Sequence, residues 1–483
     1  MTRAAVQRVL GLLLTMFSGT MLIPIFVSIL YADHAWGAFA GSFFIILGSG
    51  LLIWLPVRGE RRELRLRDGF LVVALFWVVL GLFGAAPFLL VEYPEMGFTD
   101  AVFESISGLT TTGATILTGL DTFPKSILYY RQQLQWFGGL GIIVLAVAVL
   151  PMLGVGGMQL YRAETPGPVK DTKLTPRITE TAKALWCVYL GITVACALAY
   201  WVAGMNPFDA ICHAFSTVAI GGFSTYDASI GHFNSPLIDM IAVVFMFIAG
   251  VNFSLHFLAW RATSLKGYLL DSEFCAYLKF LGFLTVAVLL YLYWVGYYGT
   301  LFETFTKGLF QVVSIGTTTG FTTADFAAWP GALPIILILS SFIGGCAGST
   351  AGGMKVIRWL LMYKQGLREV QRLVHPSAEI PVKLGSRRVH HRVVDAVWGF
   401  FAVYVLVFGV LLIIQLASGL EFVSSFAAVA VTLNNLGPGL GEVASGFGDV
   451  GAVGKWSAIC GMLLGRLEIF TLLVLITPTF WRP

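Results

Sequence analysis

Two phrases place oxygen-bearing side chains and glycine in an otherwise oily chain: "SGLTTTGATI" around Gly113 and "SIGTTTGFTT" around Gly320. Backbone carbonyls offer oxygen ligands without a fixed charge, and threonine hydroxyls can hold the loop or add further oxygens. Glycine lets the backbone adopt angles and close approaches that other residues resist. The chemistry that suits these residue types is replacement of the water shell of a dehydrated monovalent cation by rings of carbonyls. Two further phrases occupy matching places, "AIGGFS" around Gly222 and "NNLGPG" around Gly437. The candidate ligand residues are Thr110, Thr111, Thr112 and Gly113; Ala219, Ile220, Gly221 and Gly222; Thr317, Thr318, Thr319 and Gly320; and Asn434, Asn435, Leu436 and Gly437. For any one phrase a surface loop or a small-residue helix-packing patch is an alternative. Four in register favour an ion path.

The anchor glycines lie 109, 98 and 117 residues apart, as expected of an internal repeat. Each phrase follows an apolar span and then a half-apolar segment: "FTDAVFESISGL", "PFDAICHAFSTV", "TKGLFQVVSI" or "VSSFAAVAVTL". Such segments are too short to cross a bilayer. The pattern is span, re-entrant half-helix, extended loop, span, four times over. Non-helical backbone at membrane depth is tolerated only where it is buried in protein or lines a wet cavity. Four such loops imply pseudo-fourfold closure around one axis. Each half-helix would aim its partly negative C-terminus at that axis, which favours cations.

Composition agrees. Of 483 residues, 57% are hydrophobic and 12% charged, and the mean hydropathy is +0.83. Soluble domains carry about 25% charged residues. Apolar stretches predict about ten spans near 9–31, 37–57, 69–91, 132–152, 184–204, 236–260, 275–298, 332–343 with 354–363, 394–418 and 456–478. The first is long enough for a retained helix rather than a secretory signal. The fold class expected is an all-α polytopic membrane protein. Arginines cluster after the second span (Arg58, Arg61, Arg62, Arg65, Arg67), and Lys and Arg crowd residues 355–392, whereas the alternate connections carry acids such as Glu92, Asp121, Asp227 and Asp325. Positive charge stays inside, so both termini are expected on the cytoplasmic side. Topology accounts for the basic face without nucleic acid. The six cysteines show neither metal-ligand nor disulfide spacing.

Two features lie below the phrases. "GGCAGSTAGG", residues 344–353, contains five glycines, each costing a helix roughly 1 kcal/mol relative to alanine. A broken helix is expected, its irregular middle lying in the conduction path. Its residues are Gly344, Gly345, Gly348, Ser349, Thr350, Gly352 and Gly353, closed by Lys355. Gly344, Gly348 and Gly352 are also spaced for tight helix packing. A phosphate loop is excluded, because Gly-Lys-Ser/Thr is absent. Arg466 is a charge well inside an apolar segment, a functional hypothesis by default. Glu468 would point about 200° away from it on a helix, so an ion pair with another segment is the structural alternative. Gln132, Gln135, Asn252 and His256 are equally well explained by buried hydrogen bonds.

The phrases "FESISGLTTTGAT", "QWFGGLGIIVLAVAVLP", "STVAIGGFS", "SIGTTTGFTTADF", "GGCAGSTAGGMKVIR", "NNLGPG" and "GMLLGRLEIFTLLVL" resemble, in order, signature stretches of the Trk/Ktr/HKT potassium-transporter superfamily. The chain is most similar to its bacterial Trk-type membrane subunits, over essentially its whole length. The resemblance implies four linked span–pore–span units behind two additional N-terminal helices: residues 1–68 for the extra pair, 69–160, 161–270, 271–375 and 376–483 for the repeats. It implies potassium as the transported ion, since glycine in the first filter phrase accompanies potassium selectivity and serine accompanies sodium permeation. The fourth phrase departs from the Thr-rich form, so the four walls are unequal. The resemblance also implies a gating role for loop 344–353 and an electrostatic barrier at Arg466. A homodimer in the bacterial inner membrane is implied, regulated by a cytosolic TrkA-type ring binding NAD or ATP derivatives. The chain itself shows no nucleotide motif, nucleophile constellation or metal cluster, so no enzymatic chemistry is expected. A sodium- or proton-coupled carrier of a cation or solute is the alternative, because broken helices with midplane glycines suit that class too.

Overall fold

The computed structural model describes residues 3–59, 66–141, 178–385 and 387–481. Arg61, Arg62, Arg65 and the predicted stretch from 142 to 177 lie outside the described residues. The chain is helical almost throughout. Its strand pairing, among the described residues, is a hairpin of Lys383–Leu384 with Arg387–Arg388.

Among the described residues, six helices are long and apolar enough to cross a membrane: Ala4–Tyr31, Trp36–Val57, Arg67–Leu90, Ala182–Val202, Ser272–Val295 and His391–Ala417. The first two pack as an antiparallel pair. Gly11 and Gly50 make that packing close: a Cβ on Gly11 would lie 2.7 Å from the Trp54 amide nitrogen, and one on Gly50 2.6 Å from Thr15 Oγ1. The other four lead the four repeats.

Each leading span is followed by a half-helix: Phe98–Leu109, Pro207–Ala219, Leu301–Gly316 and Phe422–Leu433. At 1.5 Å per residue these run about 18–24 Å, short of the roughly 30 Å hydrocarbon core. Local signals start them. Asn206 accepts the Asp209 amide and Pro207 occupies the first turn; Thr300 accepts the Glu303 amide at 3.1 Å. Their C-terminal turns are buried, Phe215 alone being half-buried.

All four half-helices stop with the same turn. The amides of Thr112, Gly221, Thr319 and Leu436 donate to the carbonyls five residues back, Ser107, Ser216, Ser314 and Val431, at 2.7–2.9 Å. The residue before each amide is left-handed: Thr111 (φ 54°), Ile220 (55°), Thr318 (69°) and Asn435 (55°). This is the Schellman closure, here without its usual glycine. A non-glycine residue held there costs on the order of 1–3 kcal/mol, and the cost recurs four times at equivalent positions.

The trailing spans of repeats 2, 3 and 4 are interrupted. In repeat 1, Lys125–Trp136 passes into a π-helical stretch, Phe137–Gly141, and the rest of the predicted 132–152 span is not described. In repeat 2 the span expected over 236–260 is two helices, Pro236–Ala249 and Phe253–Ala262, meeting at 93°. Asn252 caps the second by accepting the Ser254 amide, and the carbonyls freed at Ala249 and Gly250 are taken by amides of another segment. In repeat 3 the break expected at the glycine run is present, between Leu333–Ser340 and Val356–Val374. In repeat 4 the single span expected over 456–478 is likewise two helices, Ala452–Arg466 and Phe470–Ile476. Glu468 and Ile469 lie between them at positive φ, with Ile469 N bonded to Leu464 O at 2.8 Å.

Candidate functional site

The four glycine-centred phrases meet in a closed ring. A Cβ placed on Gly113 would run into the carbonyl oxygen of Gly221. One on Gly222 would meet Thr319 O, one on Gly320 would meet Leu436 O, and one on Gly437 would lie 2.7 Å from Thr112 O. The order is therefore repeat 1 to 2 to 3 to 4 and back to 1. All four glycines also have positive φ, between 77° and 97°. Both demands, the left-handed backbone and the neighbouring carbonyl, explain why each wall carries glycine there. The carbonyls of Thr112, Gly221, Thr319 and Leu436 consequently form one ring.

The polar side chains of the walls mostly face backwards. Thr110 and Thr112 share a hydroxyl contact of 2.8 Å, and Thr317 and Thr319 repeat it at 2.8 Å. Thr110 Oγ1 also donates to Ile106 O, and Thr317 Oγ1 to Val313 O, each at 2.7 Å. Wall 2 has no threonine at those places; Ala219 and Gly221 stand there. Gln135 substitutes from the repeat 1 trailing helix, donating to Gly221 O at 2.5 Å and accepting the Phe223 amide at 3.1 Å. In wall 4 Asn434 bonds Tyr404 and Ser341, the latter at 2.9 Å, while Asn435 donates to Thr112 Oγ1 at 2.9 Å and Met462 O at 3.0 Å. Side chains thus brace the walls, and the oxygen set of the ring is backbone carbonyl, the Gly221 carbonyl being shared with Gln135.

Residues 341–355 fold directly beneath this ring and touch three walls. Thr350 Oγ1 donates to Val218 O at 2.9 Å, Gly352 N to Thr318 Oγ1 at 2.7 Å, and Gly353 N to Asn434 O at 3.0 Å. The segment is tied to the broken repeat 2 span by Cys346 N to Gly250 O (2.9 Å) and Phe253 N to Gly348 O (3.0 Å). Gly344, Gly348 and Gly353 have positive φ, as does Lys355 at 78°. The run is therefore irregular backbone rather than a packing surface on an intact helix. Glu273, which the sequence did not single out, accepts the amides of Ala347 (2.7 Å), within the segment, and Ile357 (3.2 Å), just past its end. Ser349 bonds locally to Cys346 O, and the Lys355 ammonium to Ala351 O.

Arg466 completes the contact with wall 1. Its guanidinium donates to Thr111 Oγ1 and Thr350 O, each at 3.2 Å, to Gly139 O at 2.6 Å, and to Gly138 O. It lies 5.6 Å from the Trp77 ring centre. Glu468 turns elsewhere, as expected, and pairs with Arg358. One cation is thus held where the first wall, the loop and the π-helical stretch converge.

A ring of four half-helix loops inside a bundle of apolar spans defines a pore-loop membrane protein with all four repeats in one chain. Comparison with known proteins narrows the class. The family model for TrkH, described as a cation transport protein, matches residues 37–482. The chain is 58% identical to the Trk system potassium uptake protein TrkH of Vibrio parahaemolyticus, covering 99% of each chain. It is 57% identical to the protein of that name from Escherichia coli K12, again over 99% of each. Against the Trk system potassium uptake protein TrkG of Escherichia coli K12 identity is 39%, over 99% of this chain and 98% of that one. The crystal structure of the potassium transporter TrkH from Vibrio parahaemolyticus matches with a TM-score of 0.92 at 55% identity, covering all of both chains. The chain belongs to the TrkH family.

Proposed function

We propose that this protein is a potassium-selective, channel-like uptake protein of the bacterial inner membrane, with both termini cytoplasmic. The observation that carries the proposal is the closed ring: four carbonyls, each against the glycine of the preceding wall, with threonine hydroxyls engaged behind the first and third and Gln135 holding the second. Such a ring replaces an ion's hydration shell with oxygen dipoles. The names of the relatives support potassium as the ion. Residues 110–113, 219–222, 317–320 and 434–437 act as the filter. The segment bearing Gly344, Gly345, Gly348, Ser349, Thr350, Gly352, Gly353 and Lys355 acts as the gate, which is closed when it is bonded to Val218, Thr318 and Asn434. Arg466, a fixed positive charge in contact with both wall and gate, is the electrostatic barrier. The membrane potential, about 2.3 kcal/mol per charge per 100 mV, drives entry. The repeats divide at 69–160, 161–270, 271–375 and 376–483, behind an extra pair in 1–68. A homodimer and a cytosolic nucleotide-binding ring complete the assembly, the basic stretch 364–392 offering a docking surface for the ring.

The test is cation flux into liposomes holding the purified protein, comparing potassium, rubidium, sodium and lithium, with and without Gly113→Ser. Potassium and rubidium flux that loses its discrimination in the variant is the expected result. Equal sodium and potassium flux through the parent protein would refute the filter assignment.

A further inference from the structure

We propose that the buried ion pair between Glu104 and Arg131 is a specificity-determining brace, fixing the spacing of the first and second filter walls and thereby the pore's discrimination between potassium and sodium. The proposal rests on the filter reading above.

Glu104 lies on the first half-helix and Arg131 on the repeat 1 trailing helix, with side chains 0% and 1% exposed and Arg131 Nε 2.7 Å from Glu104 Oε1. The carboxylate also accepts Thr115 Oγ1 at 3.0 and 3.1 Å and the Ile116 amide at 3.2 Å, both on the limb leaving wall 1. Arg131 reaches across the seam. Its Nη1 donates to Ser224 O at 3.1 Å on the limb leaving wall 2, and its Nη2 to Thr115 Oγ1 at 3.2 Å. Its guanidinium carbon stands 4.1 Å from the Phe223 ring centre. Phe223 directly follows Gly222, the wall 2 glycine. One planar fork therefore grips the outgoing limbs of two adjacent walls.

The other repeats show what is particular about this position. Three residues before each turn-closing carbonyl, the half-helices carry Glu104, His213, Gln311 and Ala428. His213 Nε2 bonds Ser224 Oγ at 2.9 Å, Gln311 donates to Ala324 O at 2.9 Å, and alanine contributes no polar contact. Each of these braces its own wall or none. Of these four equivalent positions, 104 alone holds an acidic group, and there alone a partner carries the contact on to the next wall.

Stability does not account for the pair. Removing two charges from water costs several kcal/mol per ion, and well-packed apolar replacements are often as stable. What a guanidinium supplies and an apolar side chain does not is donors in a rigid plane. Discrimination by a carbonyl ring depends on cavity size and on the number and field strength of its dipoles. A brace that fixes wall spacing acts on those quantities without touching the ion.

The test uses the full-length protein in liposomes and reads the potassium-to-sodium permeability ratio. The variants are Glu104→Leu/Arg131→Met together and Arg131→Lys alone, each checked for folding by monodispersity and thermal melting in detergent. Lys307→Met/Asp239→Leu, which removes a 3.2 Å ion pair between repeats 2 and 3, is the control and keeps the parent ratio. The expected result is a folded double variant that still conducts while its ratio falls about tenfold or more, a tenfold change being about 1.4 kcal/mol. A folded double variant with the parent ratio overturns the proposal and leaves the pair structural. Should the double variant not fold, Arg131→Lys decides: it keeps a charge beside Glu104 and loses the fork, so a lowered ratio supports the brace and an unchanged one overturns it. A parent protein without potassium preference overturns the filter reading itself, and the brace with it.

Discussion

Gly352→Ala is expected to open the pore. Gly352 does not have the left-handed backbone, so alanine meets no conformational penalty there. Its Cβ would instead strike the Asn434 carbonyl of wall 4 and come within 3.1 Å of Thr318 Oγ1 of wall 3. The walls are fixed by the half-helix turns behind them, so the loop must retreat. Retreat breaks two hydrogen bonds, Gly352 N to Thr318 Oγ1 (2.7 Å) and Gly353 N to Asn434 O (3.0 Å). At a net value of about 1 kcal/mol each, the closed arrangement loses about 2 kcal/mol, or roughly 30-fold in the open-to-closed ratio. Rubidium uptake by liposomes containing the variant without any cytosolic partner measures this directly, and single-channel open probability gives the ratio. Flux at or below the parent level, from folded protein with unaltered selectivity, would refute the idea that these bonds hold the gate shut.

Three other outcomes follow from the same geometry. Arg466→Gln removes the fixed charge and contacts to Thr111, Thr350 and Gly139; potassium flux is expected to rise and its voltage dependence to change, and recordings unchanged in both respects would remove Arg466 from the path. Glu273→Ala deprives the Ala347 and Ile357 amides of their acceptor, at about 1–3 kcal/mol for each donor left unsatisfied; basal flux is expected to increase with the potassium-to-sodium ratio intact, as a loosened gate rather than an altered filter requires. Asp100→Asn weakens the 2.7 Å pair with Lys455, which joins half-helix 1 to the repeat 4 trailing helix. A loss of about 2 kcal/mol, between the exposed and buried limits, is expected in denaturant titrations, with selectivity kept; parent-like stability would show that the seam does not depend on the pair.

The ring was legible in the sequence because glycine serves it twice over, for backbone angle and for carbonyl approach, and a side chain there would have to push a neighbouring carbonyl aside. The repeat-3 break was legible for a related reason: five glycines in ten residues leave no helix. The breaks in repeats 2 and 4 were not. "AGVNF" and "GRLEIF" hold apolar residues enough for a span, and what interrupts them is tertiary. The loop below the ring takes the carbonyls of Ala249 and Gly250, and Arg358 draws Glu468 aside. The braces were hidden by sequence distance. Glu104 and Arg131 are 27 residues apart, and Gln135 fills a gap in a wall 86 residues away. A polar residue in a span signals that it has a partner but does not say which. Threonine hydroxyls could either hold the loop or add ligands; the contacts of 2.8 Å between Thr110 and Thr112 and between Thr317 and Thr319 make those four hydroxyls struts, while the carbonyls of Thr112 and Thr319 stay in the ring.

The four walls belong to one polypeptide and are built differently: threonine pairs in the first and third, a borrowed glutamine in the second, asparagines tied to Tyr404 and Ser341 in the fourth. In a tetramer of identical subunits any substitution is written four times, and the pore changes by whole steps. Here each codon governs one quadrant. If the ring is the filter proposed above, natural variation is free to adjust ion preference in quarter-turns, retaining three walls while one is rewritten.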